Sequence, residues 1–232
     1  MKYKILGLIG GIGPESTMDY YKTIIQNFRQ KVKTNDYPHF LVNNINMIEM
    51  LSYVAGDLNE LVNFLAKEIK KLEDAGADFV AMASNTPHIV FDDLEKKVAL
   101  PMISIVKVTM EAARKQGLKK IALFGTKSTM EGGFYQKTGV DYSIEVLTPD
   151  KSSMEFINEK YFGELVAGII REETKKELIS IAKRIKDEEG IEGLILGGTE
   201  LPLILSQDDF NDIALLNTSQ IHVNSLIDMM FS

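Results

Sequence analysis

Along the chain, short apolar runs alternate with longer segments whose apolar residues recur every three or four positions. The run 5–10, ILGLIG, predicts a buried strand, and 14–32 predicts a helix with Pro14 suited to its first position. Residues 39–47 predict a second strand, and 57–77 an amphipathic helix closed by Gly76. A strand over 78–84, a short helix from Pro87 to Lys97, a strand end at 101–105 and a helix over 106–117 complete the series.

The order then restarts. Residues 119–125, KKIALFG, match the character of the first run, and 142–149 predict a strand. Helical segments follow at roughly 152–168 and 172–189, then a strand at 192–198, EGLILGG, and a strand-then-helix pattern over 213–231. Gly198 follows Ser84 by 114 residues and Ile121 follows Ile5 by 116, so two landmarks repeat at nearly one spacing. Alternating strands and helices imply parallel sheets with right-handed crossovers. The expected fold class is α/β: two similar domains, each a parallel sheet flanked by helices, related by a pseudo-twofold with the active site in the interdomain cleft. The expected domains are 1–108 plus 217–232 and 109–216, with the last helix returning to the first. In such sheets ligands bind beyond the C-terminal strand ends.

Composition narrows the function. The chain has 232 residues, 45% of them apolar, and a formal net charge of −7 with no concentrated basic stripe. Nucleic acid is therefore not the expected partner. No apolar run approaches the length of a membrane span, and the apolar N-terminus runs into glycines rather than a cleavage-like site. The expected location is the cytoplasm. There are no cysteines and three histidines, which removes disulfides, thiolate metal sites and thiol catalysis, and disfavours a His-rich metal site.

Four strand ends carry the candidate chemistry: Gly10-Gly11-Ile12-Gly13-Pro14, Ser84-Asn85-Thr86-Pro87, Gly125-Thr126-Lys127-Ser128-Thr129 and Gly198-Thr199-Glu200. Glycine permits tight turns and close backbone approach. Thr86 is expected to cap a helix that has Pro87 at its first position. Capping alone accounts for a Ser, Thr or Asn at any one such joint. Four similar joints facing one cleft would suit a small ligand with two carboxylates, one held by each half. The GGxGP run lacks the dinucleotide-binding spacing, and no phosphate-binding GxxxxGK[ST] loop occurs.

In GLIGGIGPEST (7–17), ASNTPH (83–88), LFGTKSTM (123–130) and GGTELPLIL (197–205), the chain resembles the aspartate/glutamate racemases within the Asp/Glu/hydantoin racemase superfamily. The resemblance implies a cofactor-independent isomerase, commonly a homodimer, that uses neither pyridoxal phosphate nor metal. One group takes the substrate α-proton and another returns one from the opposite face. The family's two catalytic positions fall on Ser84 and Gly198, where most members have cysteine at one or both. Asn85 and Thr86 match residues that hold a substrate carboxylate, with Thr126, Thr129 and Thr199 expected on the other side. Gly11 and Glu200 match pocket-lining positions, and Glu200 is placed to meet the substrate amine. The arginine that some members carry after the second strand has no match near Asn44–Met47.

The departures bear on the chemistry. A cysteine titrates near 8.5, whereas a serine hydroxyl is a far weaker acid that needs an adjacent base. Gly198 supplies no acid or base at all. Glu200, if burial raises its pKa, His88 and an ordered water are the candidate replacements, with His88 more readily read as structural. Two classes stay open. One is a racemase of a small acidic amino acid, or a related lyase with one acid/base; the other is a non-racemising relative that binds a small dicarboxylate or amino acid.

Overall fold

The structure, a computed structural model, describes residues 3–32 and 34–232, leaving Met1, Lys2 and Lys33 outside the described residues. The chain divides into two compact units, Met1–Ile105 with Ser219–Ser232, and Val106–Thr218.

The first unit runs β1 (Leu6–Gly10), α1 (Pro14–Lys31), β2 (Phe40–Asn44), α2 (Met47–Ala55), α3 (Leu58–Asp74), β3 (Phe79–Met82), a 3₁₀ turn (Thr86–Val90), α4 (Phe91–Lys97), β4 (Met102–Ile103). The second runs α5 (Ile105–Lys115), β5 (Lys120–Gly125), α6 (Lys127–Glu131), α7 (Phe134–Asp141), β6 (Glu145–Leu147), α8 (Lys151–Gly163), α9 (Glu172–Glu189), β7 (Gly193–Gly197), β8 (Ala214–Asn217), with a 3₁₀ turn at Leu201–Leu203. Helix α10 (Thr218–Met230) closes the chain and packs in the first unit.

Each unit holds a four-stranded, all-parallel sheet, in the orders β2-β1-β3-β4 and β6-β5-β7-β8. The fold class is thus two α/β units, each a parallel sheet flanked by helices. The central strands are apolar throughout because helices cover both of their faces. In the first unit, Leu61, Val62, Leu65, Ile69 and Leu72 of α3 pack on one face with Ile9, Val80 and Met82. Tyr20, Ile24 and Phe28 of α1 pack on the other with Leu8, Ala81 and, from α10, Val223, Leu226 and Ile227. Each such Leu or Ile contributes about 2 kcal/mol when fully buried. At that contact Tyr20 Oη lies 2.8 Å from His222 Nδ1, and His222 Nε2 lies 3.0 Å from the Ile103 carbonyl.

Three helices depart from the expected pattern. Residues 47–55 form α2, in a stretch with no element assigned after the strand expected at 39–47, because Asn46 accepts from Ile48 N and Glu49 N and starts a helix. Helices α6 and α7 occupy the stretch between the strands expected at 119–125 and 142–149, for which no helix bounds were assigned.

Candidate functional site

In both sheets the strand order reverses direction between the two middle strands, β1/β3 and β5/β7. In an open parallel sheet that reversal opens a crevice at the C-terminal ends, because the connections leave on opposite faces. The four candidate joints lie there. Ile9 pairs with Met82, which sets Gly10-Gly11 beside Ser84-Asn85-Thr86. Gly125 pairs with Gly197, which sets Thr126 beside Gly198-Thr199-Glu200. Pairing within each sheet thus brings the expected residues together two joints at a time.

In the first unit, Gly11 adopts φ +80, and a β-carbon there would lie 2.4 Å from the Ile45 carbonyl oxygen. Only glycine fits this turn. The Gly11 N–H donates to Thr17 Oγ1 at 2.8 Å, so the turn is locked to α1. Ser16 Oγ donates to the Ala83 carbonyl at 2.8 Å and Ala83 N–H to Ile9 O at 2.9 Å, which fixes the peptide just before Ser84. Ser84, Asn85, Thr86 and His88 are all buried. The turn is 3₁₀ with Asn85 at its cap position and no side-chain cap; Thr86 is its first residue, not the expected cap.

His88 is engaged through both ring nitrogens. Nδ1–H donates to the Ser84 carbonyl at 3.0 Å, and Nε2 accepts the Ile105 N–H at 3.2 Å. These bonds specify the neutral Nδ1–H tautomer, because the Ile105 donor requires an acceptor at Nε2. The ring also stacks on Phe91, with 5.2 Å between centroids. His88 therefore holds the Ser84 backbone from behind. As the acid/base expected from sequence it lacks an uncommitted nitrogen, and the physical reason is this double backbone attachment.

In the second unit, Thr126 caps α6 by accepting Thr129 N–H at 3.2 Å, and the two hydroxyls lie 3.0 Å apart. Thr129 is fully buried and lies against Thr126. Glu200 Oε2 accepts from Thr199 Oγ1 at 2.8 Å and from the Tyr161 hydroxyl of α8. Glu200 is 1% exposed and Tyr161 7% exposed, so the carboxylate and the phenol are both buried. Burial, and next the Glu200 charge, push the Tyr161 phenol well above its ordinary range.

Tyr161 escaped the sequence reading because it lies on a helix 39 residues before Glu200. Glycine at 198 was its one trace. A β-carbon at 198 would lie 2.3 Å from Tyr161 Cε2 and 3.0 Å from Cζ, so the phenol occupies the volume of the missing side chain.

Among the described residues, no group of three or more His, Cys, Asp or Glu side chains is placed to hold a metal ion, and no helix is long and apolar enough to cross a membrane.

Comparison with known proteins agrees with this fold. The family described as Asp/Glu/hydantoin racemase matches residues 9–226. The crystal structure of an aspartate racemase homologue from Pyrococcus horikoshii is 38% identical, covers the whole of both chains and superposes with a TM-score of 0.86. The aspartate racemase of Picrophilus torridus is 25% identical over 98% of this chain and 94% of its own, with a TM-score of 0.77. The broad-specificity amino-acid racemase RacX of Bacillus subtilis is 27% identical over 63% of this chain. That match spans 65% of RacX, and the match to the glutamate racemase of Aquifex aeolicus spans 61% of that protein, both under two thirds of the relative's length.

Proposed function

The chain belongs to the Asp/Glu/hydantoin racemase family, and from that premise we propose that it is a cofactor-independent racemase-like enzyme that moves the α-proton of a small acidic amino acid, aspartate or glutamate. One observation carries the reading. Both sheets end, at their topological switch points, in short polar joints of the same order, Ser84-Asn85-Thr86 after β3 and Gly198-Thr199-Glu200 after β7. Small side chains and turn backbone at these places suit the grip of a compact carboxylic acid rather than a nucleotide.

In this reading the carboxylate-holding groups are Asn85, Thr86 and the Gly11 turn of the first unit and Thr126 and Thr199 of the second. Ser84 faces the α-carbon from the first unit. His88 keeps the Ser84 backbone in place, and its tautomer gives it a positioning role. The protein works as a cytoplasmic homodimer.

A second reading rests on the missing side chain at 198 and on the weak acidity of serine. A protein with a single effective acid/base would exchange the α-proton without inverting the centre, act as a lyase, or only bind its ligand.

Chiral chromatography of D- and L-aspartate and of D- and L-glutamate, each incubated with the protein, separates these outcomes. The first reading predicts that each enantiomer drifts toward the racemic mixture. Saturable binding with no change in enantiomer ratio would replace it with the second.

A further inference from the structure

Position 198 lies at the end of β7, where the proposed reaction needs a proton-transfer group, and it carries none. The space is nonetheless filled. Tyr161 projects from α8 so that the carbon bearing its hydroxyl is 3.0 Å from where a residue-198 β-carbon would be, and its ring edge is nearer still, at 2.3 Å. Any side chain at 198 would displace this ring, and any departure of the ring would leave a void at the strand end. Glycine at 198 and tyrosine at 161 are therefore one structural solution. The hydroxyl is not idle, since it donates to the buried Glu200 carboxylate, which Thr199 also holds.

Resting on the racemase reading above, we propose that Tyr161, coupled to Glu200, is the proton-transfer group of the second unit, replacing the side chain that Gly198 lacks. As base, Tyr161 Oη forms a bond to the substrate α-hydrogen while its own phenolic proton passes to Glu200 Oε2. The α C–H bond breaks, and its electron pair is delocalised into the substrate carboxylate. As acid the pair starts with Glu200 protonated, from an earlier turnover or from solvent water: the phenol proton goes to the α-carbon, Glu200 passes its proton to Oη, and the carboxylate is left. Atoms and charge balance across the substrate, Tyr161 and Glu200. The carboxylate is what makes a phenol serviceable as a base, because it accepts the proton the phenol must shed. Thr199 keeps Oε2 oriented toward the hydroxyl.

A group on one face of the α-carbon removes the α-proton from one enantiomer only. The test follows α-deuterium incorporation from D2O into each enantiomer of aspartate and glutamate, by NMR, for the unaltered protein, Tyr161→Phe and Glu200→Gln. Tyr161→Phe keeps the ring that fills the 198 volume, and thermal melting confirms its fold. The expected result is a loss of 100-fold or more in exchange of one enantiomer in Tyr161→Phe, with the other enantiomer within tenfold, and a loss of the same handedness in Glu200→Gln. If the unaltered protein exchanges one enantiomer alone, Tyr161→Phe abolishes that exchange. Exchange that Tyr161→Phe leaves intact, or lowers equally for both enantiomers, overturns the assignment and leaves the racemase reading standing. Absence of exchange in the unaltered protein overturns that reading and this assignment with it.

Discussion

The joint after β3 and the joint after β7 occupy equivalent places in two sheets of the same strand order, yet they are built from opposite materials. Behind Ser84 stands a neutral imidazole bonded to backbone through both nitrogens. Behind Gly198 stands a phenol bonded to a carboxylate. The first arrangement fixes geometry, with both ring nitrogens committed to backbone. The second joins two titratable groups by a hydrogen bond that the phenol donates. Topology decides where a site can be, since the switch point follows from strand order. Which side chain reaches that place is decided separately, and here the second unit takes it from a helix rather than from the strand end.

Three measurements on stability would break or sharpen this contrast. The largest effect is expected at the first unit's glycine turn. In Gly11→Ala, the φ of +80 and a β-carbon 2.4 Å from a backbone carbonyl that cannot easily move act together. We expect a loss of about 3–4 kcal/mol in urea unfolding, the sum of a left-handed alanine and an overpacked contact. A loss below about 1 kcal/mol would show that the turn relaxes, and that Gly11 does not lock this joint.

Next is the pH response. Burial lowers the His222 pKa to about 4 from its ordinary 6.5, so the fold holds a neutral imidazole that the unfolded chain protonates more readily. The associated stability is complete above pH 6.5 and is lost as pH falls from 6.5 to 4, by about 3 kcal/mol. Unfolding free energies across that range should flatten in His222→Gln. The second unit's phenol acts at the other extreme. Its raised pKa keeps the proton on in the fold, so the contribution is present below the ordinary tyrosine pKa of about 10 and declines above it. That alkaline loss should shrink in Tyr161→Phe.

The smallest expected effect is at Gly198. A new β-carbon must push the Tyr161 ring from a buried, hydrogen-bonded position, which we expect to cost about 2 kcal/mol. Combining Gly198→Ala with Tyr161→Leu should recover about 1 kcal/mol or more relative to the sum of the single variants, because the two residues share one volume. Additive losses would mean that the ring and the glycine are independent.

Much of this molecule was legible in the sequence. The apolar runs at 5–10, 78–84, 119–125 and 192–198 became the four middle strands, because a strand covered on both faces must be apolar throughout. The polar residues that follow them became the joints, because a strand end is where backbone leaves the sheet. Helix α2 was hidden because Asn46 and Glu49, its start signals, lie within an apolar stretch that also reads as strand. The sequence favours a structural His88, but its partners, and those of Thr129, were not legible. Only the fold brings the Ser84 carbonyl to His88 and the Thr126 hydroxyl to Thr129. Tyr161 left no local signal, because contact between α8 and the end of β7 depends on packing rather than spacing. Its one mark was a glycine where a functional side chain belonged.

The most direct test of the central claim is deuterium incorporation at the α-carbon of aspartate and glutamate by the unaltered protein in D2O. We predict loss of the α-proton NMR signal from at least one enantiomer of at least one of these amino acids, at a rate proportional to protein concentration. Full retention of every α-proton signal at high protein concentration, with the protein folded, would contradict it.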